Sequence, residues 1–133
     1  MAEAAARYVV DTSALLAGLF GEPGADVLRR AGPGAVISTV TLSEYLAKCS
    51  DRDVPQPMAR LHLANLGVAV ASFEEADALQ AAALRKGTRF DNISFADRAC
   101  LALARSRGLP VFTTDQDWSK LEAAQDINIR QLR

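Results

Sequence analysis

Five short apolar runs, at residues 8–10, 35–37, 68–71, 110–112 and 127–129, recur along the chain with helical patterns between them. Each run is too short for a helix, and most are rich in β-branched residues, so they read as buried strands. The intervening patterns predict helices over 14–20, 25–31, 42–50, 57–66, 74–86, 95–107 and 118–124. Breakers separate them at Gly21-Glu22-Pro23-Gly24, Gly32-Pro33-Gly34, Gly67 and Gly108-Leu109-Pro110. Strand and helix therefore alternate, and alternation implies a three-layer α/β/α fold with helices on both faces of a mostly parallel sheet of about five strands. With 133 residues, half of them apolar, the expectation is one domain spanning 1–133.

Such a sheet has a predictable site, because ligands bind in the crevice beyond the carboxyl ends of parallel strands. Asp11 ends the first predicted strand, and Asp115 the fourth. Glu44 and Asp97 fall in the first turns of predicted helices. Each acid has a structural reading. Thr41 to Glu44 and Ser94 to Asp97 have the spacing of a capping box, and acids suit a first helical turn. Asp11 can cap the first helix, Asp115 can close a turn on its own backbone, and Asp117 can cap the short helix at Trp118. Capping does not, however, require the acids to share one edge. Two carboxylates about 4 Å apart repel by about 4 kcal/mol at an effective dielectric near 20. Four in one cleft therefore need protonation or a cation. All-oxygen donors without nearby His or Cys select Mg2+ or Mn2+ over zinc, and phosphate is the natural substrate of such a site.

Composition excludes several alternatives. Cys49 and Cys100 lie in apolar helical patterns without CxxC spacing, against a disulfide framework or zinc site and in favour of a reducing cytoplasm. The N-terminal stretch has no signal-peptide pattern, and no apolar run approaches the ~20 residues that span a bilayer. Net charge is -1. Acids sequestered around a cation would leave a mildly basic remainder, rich in Arg forks suited to phosphate. The sole histidine, His62, lies in a helical pattern away from every acid and reads as surface or partly packed, which removes His-based acid-base and triad mechanisms.

The blocks VVDTSALLA, STVTLSEYLAK, ISFADRACLALA and GLPVFTTDQDW, in this order, resemble the PIN-domain ribonucleases, most closely the VapC-type toxins of prokaryotic toxin-antitoxin pairs. Trp118 stands where an aromatic Phe is more usual. The resemblance implies a metal-dependent endoribonuclease whose acidic constellation maps onto Asp11, Glu44, Asp97 and Asp115. On that mapping Asp11 and Asp97 are the principal metal ligands and Asp115 completes the site directly or through water. Glu44 positions or deprotonates the attacking water, and Asp117 is a secondary candidate. Ser13 and Thr114 carry hydroxyls suited to orienting the ligands, with the helix N-cap as the plainer role for Ser13. Arg98 and the cluster Arg85-Lys86-Gly87-Thr88-Arg89 are candidates for RNA phosphates, Arg85 and Lys86 reading more simply as a solvated helix end. The implied partners are RNA, a small antitoxin of VapB type and a second copy of the chain. Leu15, Leu16, Leu19 and Phe20 are candidates for an antitoxin groove, against ordinary helix-sheet packing.

Two other readings compete. An Asp-dependent phosphatase or receiver would need a second Asp two residues after Asp11, where the chain has Ser13, or a Lys after a late strand, where it has 113–117. No GxxxxGK[ST] loop supports a nucleotide binder. A non-catalytic α/β interaction module that keeps the acids as caps is the remaining alternative.

Overall fold

The computed structural model describes residues 5–88, 92–121 and 126–133. Its strands are β1 (Tyr8–Val10), β2 (Ala35–Ser38), β3 (Ala69–Ala71), β4 (Val111–Thr113) and β5 (Ile129–Gln131). Helices α1 (Thr12–Phe20), α2 (Ala25–Ala31), α3 (Thr39–Asp51) and α4 (Gln56–Asn65) link β1 through β2 to β3. Helices α5 (Glu75–Thr88) and α6 (Phe95–Arg107) lead into β4, and a 3-10 turn, Gln116–Lys120, follows it. The five strands pair in the order β3-β2-β1-β4-β5, and every pairing is parallel. The expected α/β/α architecture is therefore present, with a sheet that is parallel throughout.

The pleat sorts the strand residues between two cores. Tyr8, Val10, Ala35, Ile37 and Phe112 face one way and pack with Leu15, Leu28, Tyr45 and Leu63 of the first four helices. Val9, Val36, Val111 and Ile129 face the other way, against Leu84, Leu101, Leu103 and Trp118. Central strands covered on both faces read as unbroken apolar runs, which is why they are visible in the sequence. Each fully buried aliphatic side chain contributes about 1.5–3 kcal/mol.

The chain starts at the middle of the sheet, builds outward to β3, then crosses back to place β4 on the other side of β1. That reversal is a topological switch point, and it lies at the carboxyl ends of β1 and β4. Among the described residues no helix is long and apolar enough to cross a membrane.

Several boundaries differ from expectation. Helix α3 begins at Thr39, because Ser38 accepts the Val40 N–H at 3.0 Å and caps it. The β-branched Thr39-Val40-Thr41 thus belongs to the helix, and Glu44 sits in its second turn; the Thr41 capping box does not form. Strand β5 starts at Ile129 and not Ile127, which is buried without pairing. Residues 122–124 of the predicted last helix lie outside the described residues.

Candidate active site

Asp11 follows β1 and is the N-cap of α1, its Oδ1 accepting the Ala14 N–H at 2.9 Å. A short acceptor side chain in extended backbone is what a helix start requires. The carboxylate is only 4 % exposed. The Ser13 hydroxyl lies 2.8 Å from Oδ1 and donates to the carboxylate, and Thr113 Oγ1 donates to Oδ2 at 2.6 Å. Thr113 in turn accepts the Asp115 N–H at 2.9 Å, and Ser13 Oγ accepts the Thr114 N–H at 3.1 Å. Burial nevertheless pushes the Asp11 carboxyl up to about 7, against these hydrogen bonds, with the charge of Asp97 adding to the rise.

Asp97 is the third residue of α6 and closes a complete capping box: Ser94 Oγ accepts the Asp97 N–H at 3.1 Å, and Asp97 Oδ2 accepts the Ser94 N–H at 3.0 Å. The structural role foreseen for this pair is real. It occupies one oxygen of Asp97. Burial raises the Asp97 carboxyl above its ordinary value, and the charges of Glu44 and Asp115 raise it further against the Ser94 hydrogen bonds. Asp115 caps the 3-10 turn, accepting the Asp117 N–H at 2.9 Å. The cap is thus Asp115, and Asp117 lies exposed in the first turn. The end of the chain holds this segment in place: Gln131 donates to the Asp115 carbonyl at 2.8 Å and Arg133 to the Thr114 carbonyl at 3.1 Å.

The four acids form one electrostatic unit. Asp11 feels Asp97, and Asp97 feels Glu44 and Asp115. Cys100, buried beneath them, has its thiol raised well above its ordinary value by burial and by the charges of Asp11, Asp97 and Glu44. Among the described residues the one ion pair is Arg30–Asp26, out on α2, so no basic side chain neutralises the cleft. Among the described residues there is also no ready-made cage of three His, Cys, Asp or Glu side chains. The donor chemistry fits a hard divalent ion held by one or two carboxylates and several waters, which is how Mg2+ is commonly bound, better than it fits a closed protein cage.

Thr113, which the sequence did not single out, is the residue that ties Asp11 to the end of β4. The pairing of Val10 with Phe112, continued by one position, sets Thr113 beside Asp11. A hydroxyl ending an apolar strand next to the acid-bearing strand was the available signal. The nominated Thr114 contributes its backbone N–H, while its side chain lies against Gly24. Ser13 orients Asp11 and does not cap the helix. Arg98 donates to the Ala81 carbonyl of α5 at 3.3 Å, and its guanidinium lies over the Phe95 ring, 5.8 Å from the centroid. Arg85 and Lys86 are exposed on the last turns of α5, and Arg89 lies outside the described residues. His62 is half-buried against Gly18, away from the acids. Leu15 is fully buried in the sheet core and belongs to no groove, whereas Leu16, Leu19 and Phe20 are half-buried.

A parallel α/β/α sheet that gathers acidic side chains where its strand order reverses offers a place for a hard cation and a phosphate. The chain belongs to the PIN domain family, which residues 8–124 match. PIN domains are nucleases that generally use divalent metal ions. No curated protein matches the chain by sequence. Among solved structures, the DNA-bound VapBC of Salmonella typhimurium superposes with a TM-score of 0.74 at 16% identity, covering 96% of this chain and 99% of that one. VapBC-5 of Mycobacterium tuberculosis gives 0.64 at 25% identity over 95% of this chain and 98% of that one. VapC20 of Mycobacterium tuberculosis, a toxin that cleaves the sarcin-ricin loop, gives 0.68 at 23% identity over 85% of this chain and 93% of that one.

Proposed function

We propose that this chain is an endoribonuclease of VapC type, the toxin of a VapBC-type pair, working with Mg2+ or Mn2+. The observation that carries the reading is the gathering of buried Asp11 and half-buried Asp97 at the switch point, with Asp97 also in the field of Glu44 and Asp115 and no ion-pair partner for any of them among the described residues. A bound divalent ion would supply acidified water and stabilise the charge that develops on the phosphate. Asp11 and Asp97 would be its principal ligands, with Asp115 completing the site directly or through water. Thr113 and Ser13 fix the Asp11 carboxylate from behind, so its orientation is set before substrate arrives. Glu44 has its carboxylate in the same field and takes the proton of the attacking water. No side chain attacks the phosphate.

The partner is a small VapB-type antitoxin, a reading supported by the VapBC structures among the structural neighbours. The half-buried Leu16, Leu19 and Phe20 of α1 form its apolar contact, and the working unit is a homodimer. The complete capping box at Ser94–Asp97 favours the rival reading of Asp97 as a purely structural residue. Cleavage of RNA by the purified chain separates the two. It should require Mg2+ or Mn2+, stop with chelator, and be lost in Asp11→Ala and in Asp97→Ala while circular dichroism shows an intact fold. Full cleavage by both variants would exclude this site.

A further inference from the structure

Beside the acidic cleft, α3 and the start of α6 enclose a groove of about 560 Å³ in which Val40, Glu44 and Ala47 face Phe73, Phe95 and Ala96. Phe95 is 51% exposed, and its ring meets Phe73 edge-on with centroids 5.8 Å apart at 88°. Phe73 is itself packed against the α5–α6 core, so the exposed ring has a fixed backing. We propose that this groove receives one unpaired base of the RNA, stacked on Phe95 next to the phosphate being cut. The inference rests on the endoribonuclease reading and names where its substrate is gripped.

Three observations select a base as the occupant. First, the groove is continuous with the cleft: Glu44 belongs to both, and Ala96 separates Phe95 from Asp97 by a single residue. Second, no basic side chain lines the groove to attract a phosphate, whereas the flat face of a neutral heterocycle suits its apolar lining. Third, the volume falls within the roughly 300–1,000 Å³ of small-ligand sites, and the hydroxyl-bearing Thr39 and Ser43 on its α3 side offer polar edges to an otherwise apolar floor. Proteins that grip single-stranded RNA place aromatic rings in this way beside the backbone track.

The test measures binding of a short fluorescein-labelled single-stranded RNA of mixed sequence by anisotropy, in an Asp97→Asn background so that the RNA stays intact. Phe95→Ala should weaken binding about tenfold and Phe95→Trp should restore it. An abasic nucleotide moved along the RNA should cost affinity at one position with Phe95 present and add no further loss there in Phe95→Ala. In the cleaving protein the loss should appear in KM. Wild-type cleavage together with unchanged binding and KM in Phe95→Ala would overturn the base pocket and leave the nuclease reading standing. An intact abasic cycle in a chain that cuts no RNA under any metal would keep the pocket and remove the nuclease reading. Conversion of a dimer to a monomer by Phe95→Ala, with RNA affinity unchanged, would assign the groove to a second copy and overturn the inference.

Discussion

Asp11→Asn should stabilise the metal-free protein above pH 7. The unfolded chain ionises Asp11 near 3.8, and burial raises the folded value to about 7. Between these values folding retains a proton that the unfolded chain has released, so stability falls as pH rises through the window. The gap, at roughly 1.4 kcal/mol per pH unit, amounts to about 4 kcal/mol. Asparagine matches the shape and remains a good N-cap, keeping an acceptor for the Ala14 N–H. Its amide must face the Thr113 hydroxyl, which turns to accept, and that rearrangement costs about 1–2 kcal/mol. A net gain of about 2–3 kcal/mol remains, or a rise in Tm on the order of 5–10 °C. Calorimetry of chelator-treated protein at pH 8 and pH 5 reads the effect. The advantage should shrink by more than half at pH 5, and Mn2+ should stabilise the wild type while leaving the variant unmoved. A variant less stable than wild type at pH 8, or an advantage equal at both pH values, would refute the reasoning and make Asp11 an ordinary cap.

Thr113→Val removes the 2.6 Å donor to Asp11 and the acceptor of the Asp115 N–H. It should lower stability by about 1–3 kcal/mol in urea unfolding and reduce the initial rate of RNA cleavage. Trp118, fully buried in the core under α6, should cost about 3–5 kcal/mol when cut to Ala, read by the same titration. Gly24→Ala meets a backbone at φ 104° and would bring a Cβ within 3.0 Å of the Leu132 Cβ and 3.2 Å of the Thr114 Cγ2. It should destabilise by more than about 1 kcal/mol and lower Tm accordingly.

The sheet was legible because its central strands are covered on both faces, so apolar runs mark them directly. Strand ends were less so. Hydropathy reports burial and not pairing, which is why Ile127 read as strand although pairing begins at Ile129. At α3, β-branched residues concealed a helix start that the Ser38 cap decides, and Glu44 was consequently placed a turn too early. The acids themselves were legible as carboxylates following strands or opening helices. What holds them was not: the Thr113 bond to Asp11 depends on which strand neighbours β1, and strand order leaves no local mark in the sequence. For Arg98, sequence proximity to Asp97 could not show that its guanidinium also reaches the Ala81 carbonyl and the Phe95 ring.

The reversal of strand order between β1 and β4 also sets when the protein becomes competent. Thr113 lies 102 positions after Asp11, and Asp115 follows it. A nascent polypeptide still threaded through its ribosome can present Asp11, Glu44 and even Asp97 with no partner strand to draw them together. The carboxylates of the first three boundaries therefore wait, apart and harmless, on the arrival of a segment about a hundred residues downstream.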